Sequence, residues 1–351
     1  MIQLKKTSSI LFLFTCFLSC TIATAAKPID KNQPITRILF GSCVNQNDPM
    51  PILSKVVADK PDLFIFLGDN IYGDTEDMQV LKDKYTKLGA NPDFAKLRKT
   101  TPILATWDDH DYGVNDGGAE YAKRVESQQI FVDFWKDGKN SPRRKRPGIY
   151  AAKFYGPIGK RVQVILLDTR YFRGPLKKGE KRTGGPYYPT EDKSVTMLGE
   201  TQWKWLEKQL KKPAELRIIA TSIQCVAQSS GQETWSNIPH ERQRMFDLIA
   251  KTNAAGVLFI SGDRHWSELS VEKEGTPYPL YDFTSSSINK IHPRGTPTDN
   301  RYRDVPTTYH KANYGALVVD WNRATPKVSM QIKDDSGKVQ FEKTVPLSEL
   351  K

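Results

Sequence analysis

Short apolar runs that break off at glycine and then a reactive side chain limit this chain to a layered fold with a rim of strand ends. Leu63-Phe64-Ile65-Phe66-Leu67 runs into Gly68-Asp69, Val257–Ser261 into Gly262-Asp263, and Thr36–Phe40 into Gly41-Ser42-Cys43. Continuous apolar runs of this length suit strands covered on both faces. Ile103–Thr106, Val162–Leu167 and Leu216–Thr221 read the same way. Between them, helical spacing recurs at Ile52–Ala58, Met78–Leu88, Tyr121–Trp135, Thr201–Leu210 and His240–Thr252. Alternating strand and helix predicts an α/β fold whose carboxyl-edge loops carry the chemistry. Leu280–Thr284, Ala316–Trp321 and Lys327–Lys333 are expected as consecutive antiparallel strands finishing a second sheet. Three stretches rich in Gly, Pro and charge, at 136–147, 177–190 and 292–308, are expected as structureless lids or binding loops.

The residues at the strand ends are a mixed donor set. Asp69 leaves its strand with two carboxylate oxygens, enough to bridge two cations in the manner used for in-line phosphoryl displacement. Tyr72, three residues on, could ligate as phenolate, which favours a hard trivalent ion such as iron. Cys43 adds a thiolate, a donor suited to iron or zinc rather than to calcium or magnesium. His265 follows Asp263 by two residues and offers a neutral imidazole. Trp107-Asp108-Asp109-His110-Asp111 is the densest polar run, and its carboxylates cannot all be buried without a counter-charge. Asp109 is expected as a ligand and His110 as an acid near the leaving oxygen, with Asp108 and Asp111 orienting their neighbours. Asn115 and Asp116 are further candidate oxygen donors. Arg170 could clamp a phosphate bidentately or pair with Asp168, and Trp266 could wall the pocket. Each motif alone also reads as a turn, a helix cap or a packed side chain; together they predict a metal-dependent hydrolase.

The amino terminus has the layout of a secretory signal. Lys5 and Lys6 precede the apolar run Ile10–Leu18, and Ala23-Thr24-Ala25 offers a small-residue cleavage site. The expected organisation is a signal peptide at 1–25 and one domain over 26–351, periplasmic or secreted; lipid attachment at Cys20 is the rival reading. No later segment is apolar enough to span a bilayer as a helix. Losing Lys5 and Lys6 with the signal takes the formal charge from +12 to +10. Arg143-Arg144-Lys145-Arg146 and Lys177-Lys178 with Lys181-Arg182 hold much of that excess, either as solvated loops or as a field steering anionic substrates. No motif specific for nucleic acid accompanies them. Cys43 and Cys225 remain after processing, and an oxidising compartment invites a disulfide between them, in competition with metal ligation by Cys43.

Gly41-Ser42-Cys43, Gly68-Asp69-x-x-Tyr72, Trp107-Asp108-Asp109-His110-Asp111 and Gly262-Asp263-x-His265, in that order, resemble the alkaline phosphatase D (PhoD-like) branch of the metallophosphatases. Leu167-Asp168-Thr169-Arg170 and Trp235–Pro239 followed by Arg242 agree, so the resemblance spans about residues 36 to 335. It implies a layered β-sandwich flanked by helices (αββα). It implies ferric iron held by Cys43, Asp69, Tyr72 and His265, and calcium beside it with Asp69 shared and Asp109 and Asp263 contributing. The implied activity is hydrolysis of a small-molecule or lipid phosphate ester by activated water. A phosphodiesterase or phospholipase with the same centre, and a non-catalytic envelope protein with structural metals, remain as alternatives. Gly262-Asp263-Arg264-His265 departs from the Gly-His-x-His ending of purple acid phosphatases, whose opening Asp-x-His is also missing. The run after His110, Asp111-Tyr112-Gly113-Val114-Asn115-Asp116, departs from the Asn-Asn type associated with other members, which bears on the calcium shell and on specificity.

Overall fold

A computed structural model describes residues 1–2, 29–228, 231–292 and 299–351. The signal-peptide and lipidation readings therefore lie outside the described residues, as does part of the 292–308 loop. Along the chain come β1 (Arg37–Gly41), α1 (Ile52–Ala58), β2 (Leu63–Leu67), α2 (Met78–Ala90), α3 (Pro92–Thr100), β3 (Ile103–Thr106), α4 (Asp109–Tyr112) and α5 (Arg124–Phe134). Next are β4 (Ala151–Tyr155), β5 (Val162–Leu166), β6 (Lys177–Arg182), β7 (Gly185–Tyr188), α6 (Gly199–Leu210), β8 (Leu216–Ala220), α7 (Pro239–Lys251) and β9 (Val257–Ser261). The chain closes with β10 (Glu268–Glu272), β11 (Leu280–Thr284), β12 (Asn313–Asp320), β13 (Lys327–Asp334) and β14 (Val339–Pro346).

Two six-stranded sheets result, in the orders β14-β13-β12-β1-β2-β3 and β10-β11-β9-β8-β5-β4. Side chains alternate across each strand, and that alternation sorts the apolar runs between layers. Ile38 and Phe40 of β1 and Leu63, Ile65 and Leu67 of β2 share a core with the second sheet and with Leu206 of α6 and Ile249 of α7. Leu39, Phe64 and Phe66 point the other way, onto Leu53, Leu81, Phe94 and Phe131 of the first four long helices. The layering is the expected αββα.

The expected tail needs correction. β11 runs parallel to β9 inside the second sheet, whereas β12 pairs antiparallel with β1 and continues the first sheet through β13 and β14. Neighbours in sequence went to different sheets because strand pairing is decided by edge availability, which no local pattern encodes. The 177–190 stretch is likewise not structureless: β6 and β7 form an antiparallel hairpin. Its first strand, Lys-Lys-Gly-Glu-Lys-Arg, is almost wholly exposed, so it carries no apolar alternation to read.

Candidate metal centre

The carboxyl ends of β1, β2, β3 and β9 converge, and two glycines allow it. At Gly68, with φ +105°, an added Cβ would stand 2.5 Å from the Asp108 Cβ. At Gly262 it would stand 2.4 Å from Ser42 Oγ, so the ends of β1 and β9 could not close together. Backbone strain gathers at the same place. Nine non-glycine residues have positive φ among the described residues, and six of them are Cys43, Asp69, Asp74, Asp116, Asp263 and His265. Each such conformation costs about 1–3 kcal/mol and persists where the surroundings enforce it, as at ligand-holding sites.

Asp69 is the hub. Cys43 Sγ lies 3.3 Å and Tyr72 Oη 3.4 Å from its Oδ2, and Tyr72 Oη is 3.4 Å from His265 Nε2. His265 donates from Nδ1 to the Lys290 carbonyl at 2.7 Å, which leaves the lone pair on Nε2 facing Tyr72 and Cys43. Burial, with His292 and Arg264 nearby, pulls its pKa down to about 4, so the ring is neutral. Among the described residues three donor groups each lie within 4.8 Å: Cys43, Asp69 and His265; Asp69, Asp109 and His110; Asp69, Asp108, Asp109 and Asp263. Asp69 belongs to all three, as a bridging residue would.

The chemistry of this set calls for cations. Asp69 Oδ1, Asp108 Oδ2 and Asp109 Oδ1 are buried with no hydrogen-bond partner. A buried unpaired carboxylate oxygen costs several kcal/mol unless a charge answers it. Burial raises Asp69 well above the usual carboxylate range; His110 opposes the rise and Asp109, Asp108 and Asp111 add to it. Burial and then Asp69 push the Cys43 thiol up, and burial, Cys43 and Asp69 do the same to Tyr72. Negative groups so crowded fit two adjacent cations, one on the thiolate–phenolate–imidazole side and one on the carboxylate side.

Around the hub lies a supporting shell that the sequence only partly disclosed. Asp111 Oδ1 accepts from the backbone N–H of Asp69 at 3.1 Å and of Asp108 at 2.7 Å, which ties the two turns together and bears out an orienting role. Asp116 donates its backbone N–H to Asp109 Oδ2 at 2.7 Å. His110 Nδ1 meets Asp74 Oδ1 at 2.7 Å. Burial lowers the His110 pKa, but Asp109, Asp69 and Asp74 outweigh it and hold the imidazole at about 10. Asp74 was not flagged by sequence, although it sits only two residues past Tyr72 in a Gly-Asp turn.

Several expectations change. Arg170 is not open to substrate. Its exposure is 0%, its Nε donates to Asp108 Oδ1 at 2.6 Å, and its Nη1 bonds both Glu233 oxygens at 2.8–2.9 Å. Nor does its side chain pair with Asp168, which instead accepts from the Arg170 backbone N–H. Arg173 adds a second cation on Glu233 at 3.1 Å. Glu233, 65 residues downstream of Asp168, carries no local motif and was invisible to sequence reading. Asn115 is exposed at the rim, with its amide donating to Asp116 at 2.8 Å. Asn70 is the better-placed amide: fully buried, held through Nδ2 by Thr106 and Asp111, with Oδ1 unpartnered. Asp263 reaches the cluster but is also paired with its neighbour Arg264. Cys43 and Cys225 are both free and buried, so the disulfide reading falls.

The cluster opens into a cavity of about 670 Å³ lined by Asp109, His110, Asp263, His265 and Trp266 and by the β6–β7 hairpin. Tyr187 fastens that hairpin, bonding Asp116 Oδ2 at 2.5 Å through its hydroxyl and the Gly231 carbonyl at 3.1 Å through its N–H. Lys181 and His292 bring positive or protonatable groups to the mouth.

Known proteins are similar to this chain in sequence and in fold. Alkaline phosphatase D of Bacillus subtilis (strain 168) is 23% identical over 302 residues, covering 73% of this chain and 51% of the relative, so the chain spans about half that relative's length. A solved structure of PhoD matches with a TM-score of 0.69 at 18% identity, over 91% of this chain and 73% of that one. A dimetal phosphatase from Danio rerio matches with a TM-score of 0.52 at 11% identity, over 90% and 100% of the respective chains. At these identities the solved structures speak to the fold alone. The sequence profile of PhoD-like phosphatases, however, matches residues 38–344, from β1 into β14 and through every turn of the cluster, and the chain belongs to the PhoD-like phosphatase family.

Proposed function

We propose that residues 26–351 form a secreted phosphoric-ester hydrolase that works through a ferric iron and a calcium ion. The observation that carries this reading is the triplet of buried carboxylate oxygens without a hydrogen-bond partner on Asp69, Asp108 and Asp109, the last of which lines a cavity that Lys181 also lines. Cys43, Tyr72 and His265, with Asp69, would hold the iron. Asp69, Asp109, Asp263 and the Asn70 oxygen would hold the calcium, with Asn115 left to the rim. When bound, such a pair supplies Lewis-acid charge at the phosphoryl oxygens and lowers the pKa of a coordinated water.

The chain's own residues do the rest. Lys181 draws the anionic ester toward the opening. His110, protonated and anchored through Nδ1 by Asp74, presents Nε2 as the proton donor for the departing alkoxide. Arg170 holds Asp108 and stands 3.9 Å from Asp109 Oδ1, so it orients carboxylates rather than substrate.

The test is reconstitution. Chelated protein should not hydrolyse p-nitrophenyl phosphate, and ferric iron with calcium should restore turnover and a visible phenolate-to-iron band. Tyr72→Phe should lose that band. Restoration by zinc alone, with no band, would replace the iron–calcium assignment; inactivity with every metal would end the hydrolase reading. Comparing rates on mono- and bis-nitrophenyl phosphate separates a monoesterase from a diesterase. Asp74→Asn should lower kcat by about 10–100-fold, the scale of lost general-acid positioning, while leaving metal content intact; loss of metal would instead assign Asp74 to the metal shell.

A further inference from the structure

A second cleft opens at the opposite kind of site, between two sheet edges. β3 ends the first sheet and β4 ends the second, and the chain from Trp135 to Arg146 arches over the gap. The enclosed volume is about 740 Å³, and its lining shares no residue with the metal cavity. Apolar side chains make the floor. Leu104, Ala152 and Trp205 pack against the inter-sheet core, and Ile103 and Trp135 against the helical core, yet all five remain only partly covered. A volume of this size matches a single small-molecule ligand.

The walls are cationic. Lys136, Lys139, Arg143, Arg146, Lys153 and Lys212 line the cleft, against one carboxylate, Asp137. Arg143 is only 7% exposed, with its guanidinium over the Phe131 ring at 5.0 Å. Its Nε is 3.4 Å from Asp137 Oδ2, but Asp137 already accepts from Ser141 at 2.7 Å, and Arg143 Nη2 is buried with no hydrogen-bond partner. Arg146 Nε is buried and partnerless too. Buried donors left unmatched are unfavourable, and charged ones most of all. Arg143 keeps its ion pair with Asp137 and Arg146 donates through Nη2 to the Tyr150 carbonyl, but the nitrogens left over above an apolar floor describe a host for an anionic head on an apolar body.

We propose that this cleft binds a free single-chain anionic amphiphile, with its head on Arg143 and its chain along β3 and β4, the terminal strands of the two sheets. A bare inorganic anion would leave the apolar floor wet, and a neutral lipid would leave Arg143 Nη2 without an acceptor. The site stands apart from the metal chemistry and does not depend on it.

Titration calorimetry of the full-length metal-loaded protein with monomeric dodecanoate tests this. Saturable binding at one equivalent is expected, weakened about tenfold or more in Arg143→Met, the scale of a lost charge-assisted hydrogen bond. The exposed pair Lys139→Glu with Lys212→Glu should weaken it several-fold without touching the buried arginine, which guards against a misfolded Arg143 variant. Asp263→Asn should bind dodecanoate as the native chain does, excluding capture at the metal centre. Dodecanol and inorganic phosphate should each bind at least tenfold more weakly. Absence of binding, equal binding of phosphate, or unchanged affinity in both cleft variants would overturn the proposal.

Discussion

Asp69→Asn should reduce phosphate-ester hydrolysis by on the order of a thousandfold, since several kcal/mol of charge stabilisation at the reacting phosphoryl group disappear together. Asp69 is the one residue common to all three donor groups among the described residues, so an amide there would take its negative charge and one of its two oxygens away from both proposed cation positions. Iron and calcium contents should both fall in elemental analysis. Stability should move the other way. Burial and the surrounding carboxylates disfavour the ionised Asp69, so the metal-free variant should unfold at no lower denaturant concentration than metal-free native protein. Native turnover in this variant would remove Asp69 from the mechanism, whereas a collapsed fold would make it a structural residue.

Arg170→Met is expected to act on stability first. The guanidinium is wholly buried and answers Asp108 and Glu233, both at 1% side-chain exposure. Truncating one partner of such a network strands the others, which costs about 3–5 kcal/mol. Equilibrium unfolding in urea should show that loss, with metal affinity reduced because Asp108 and Asp109 lose their orientation. A substrate clamp would behave differently: KM would rise while the unfolding midpoint stayed put. That outcome would restore the phosphate-binding role that the sequence suggested for Arg170.

The legible and illegible parts of the chain divide on physical grounds. Leu63–Leu67 and Val257–Ser261 were readable to the residue because both are buried along their whole length and are almost wholly apolar up to a glycine; the half-buried Ile103–Thr106 was readable because its short apolar run stops at a polar turn. α1 was equally clear. α3 was missed although its signals were present: Asn91 caps it by accepting from Asp93 and Phe94 N–H, and Pro92 opens its first turn. β4, at a sheet edge, and the exposed β6 left little pattern to find. Cys43, Asp69, Tyr72, Asp109, Asp263 and His265 were expected as ligands from their positions after strands, and their side chains lie close together. Asn115 and Arg170 had the right chemistry but the wrong surroundings.

Sequence by itself determined the layering, the strand ends and the donor types, because hydrophobic period and turn chemistry act over a few residues. Only the folded arrangement decided which donors meet, which sheet received β11 and β12, and which arginines are buried in ion pairs. Glu233, distant in sequence from Asp108, converts Arg170 from a substrate contact into a buried strut. Asp74 anchors the His110 ring through Nδ1, and the Lys290 carbonyl sets the His265 tautomer. Such pairings depend on distances across sheets, and short-range pattern carries no record of them.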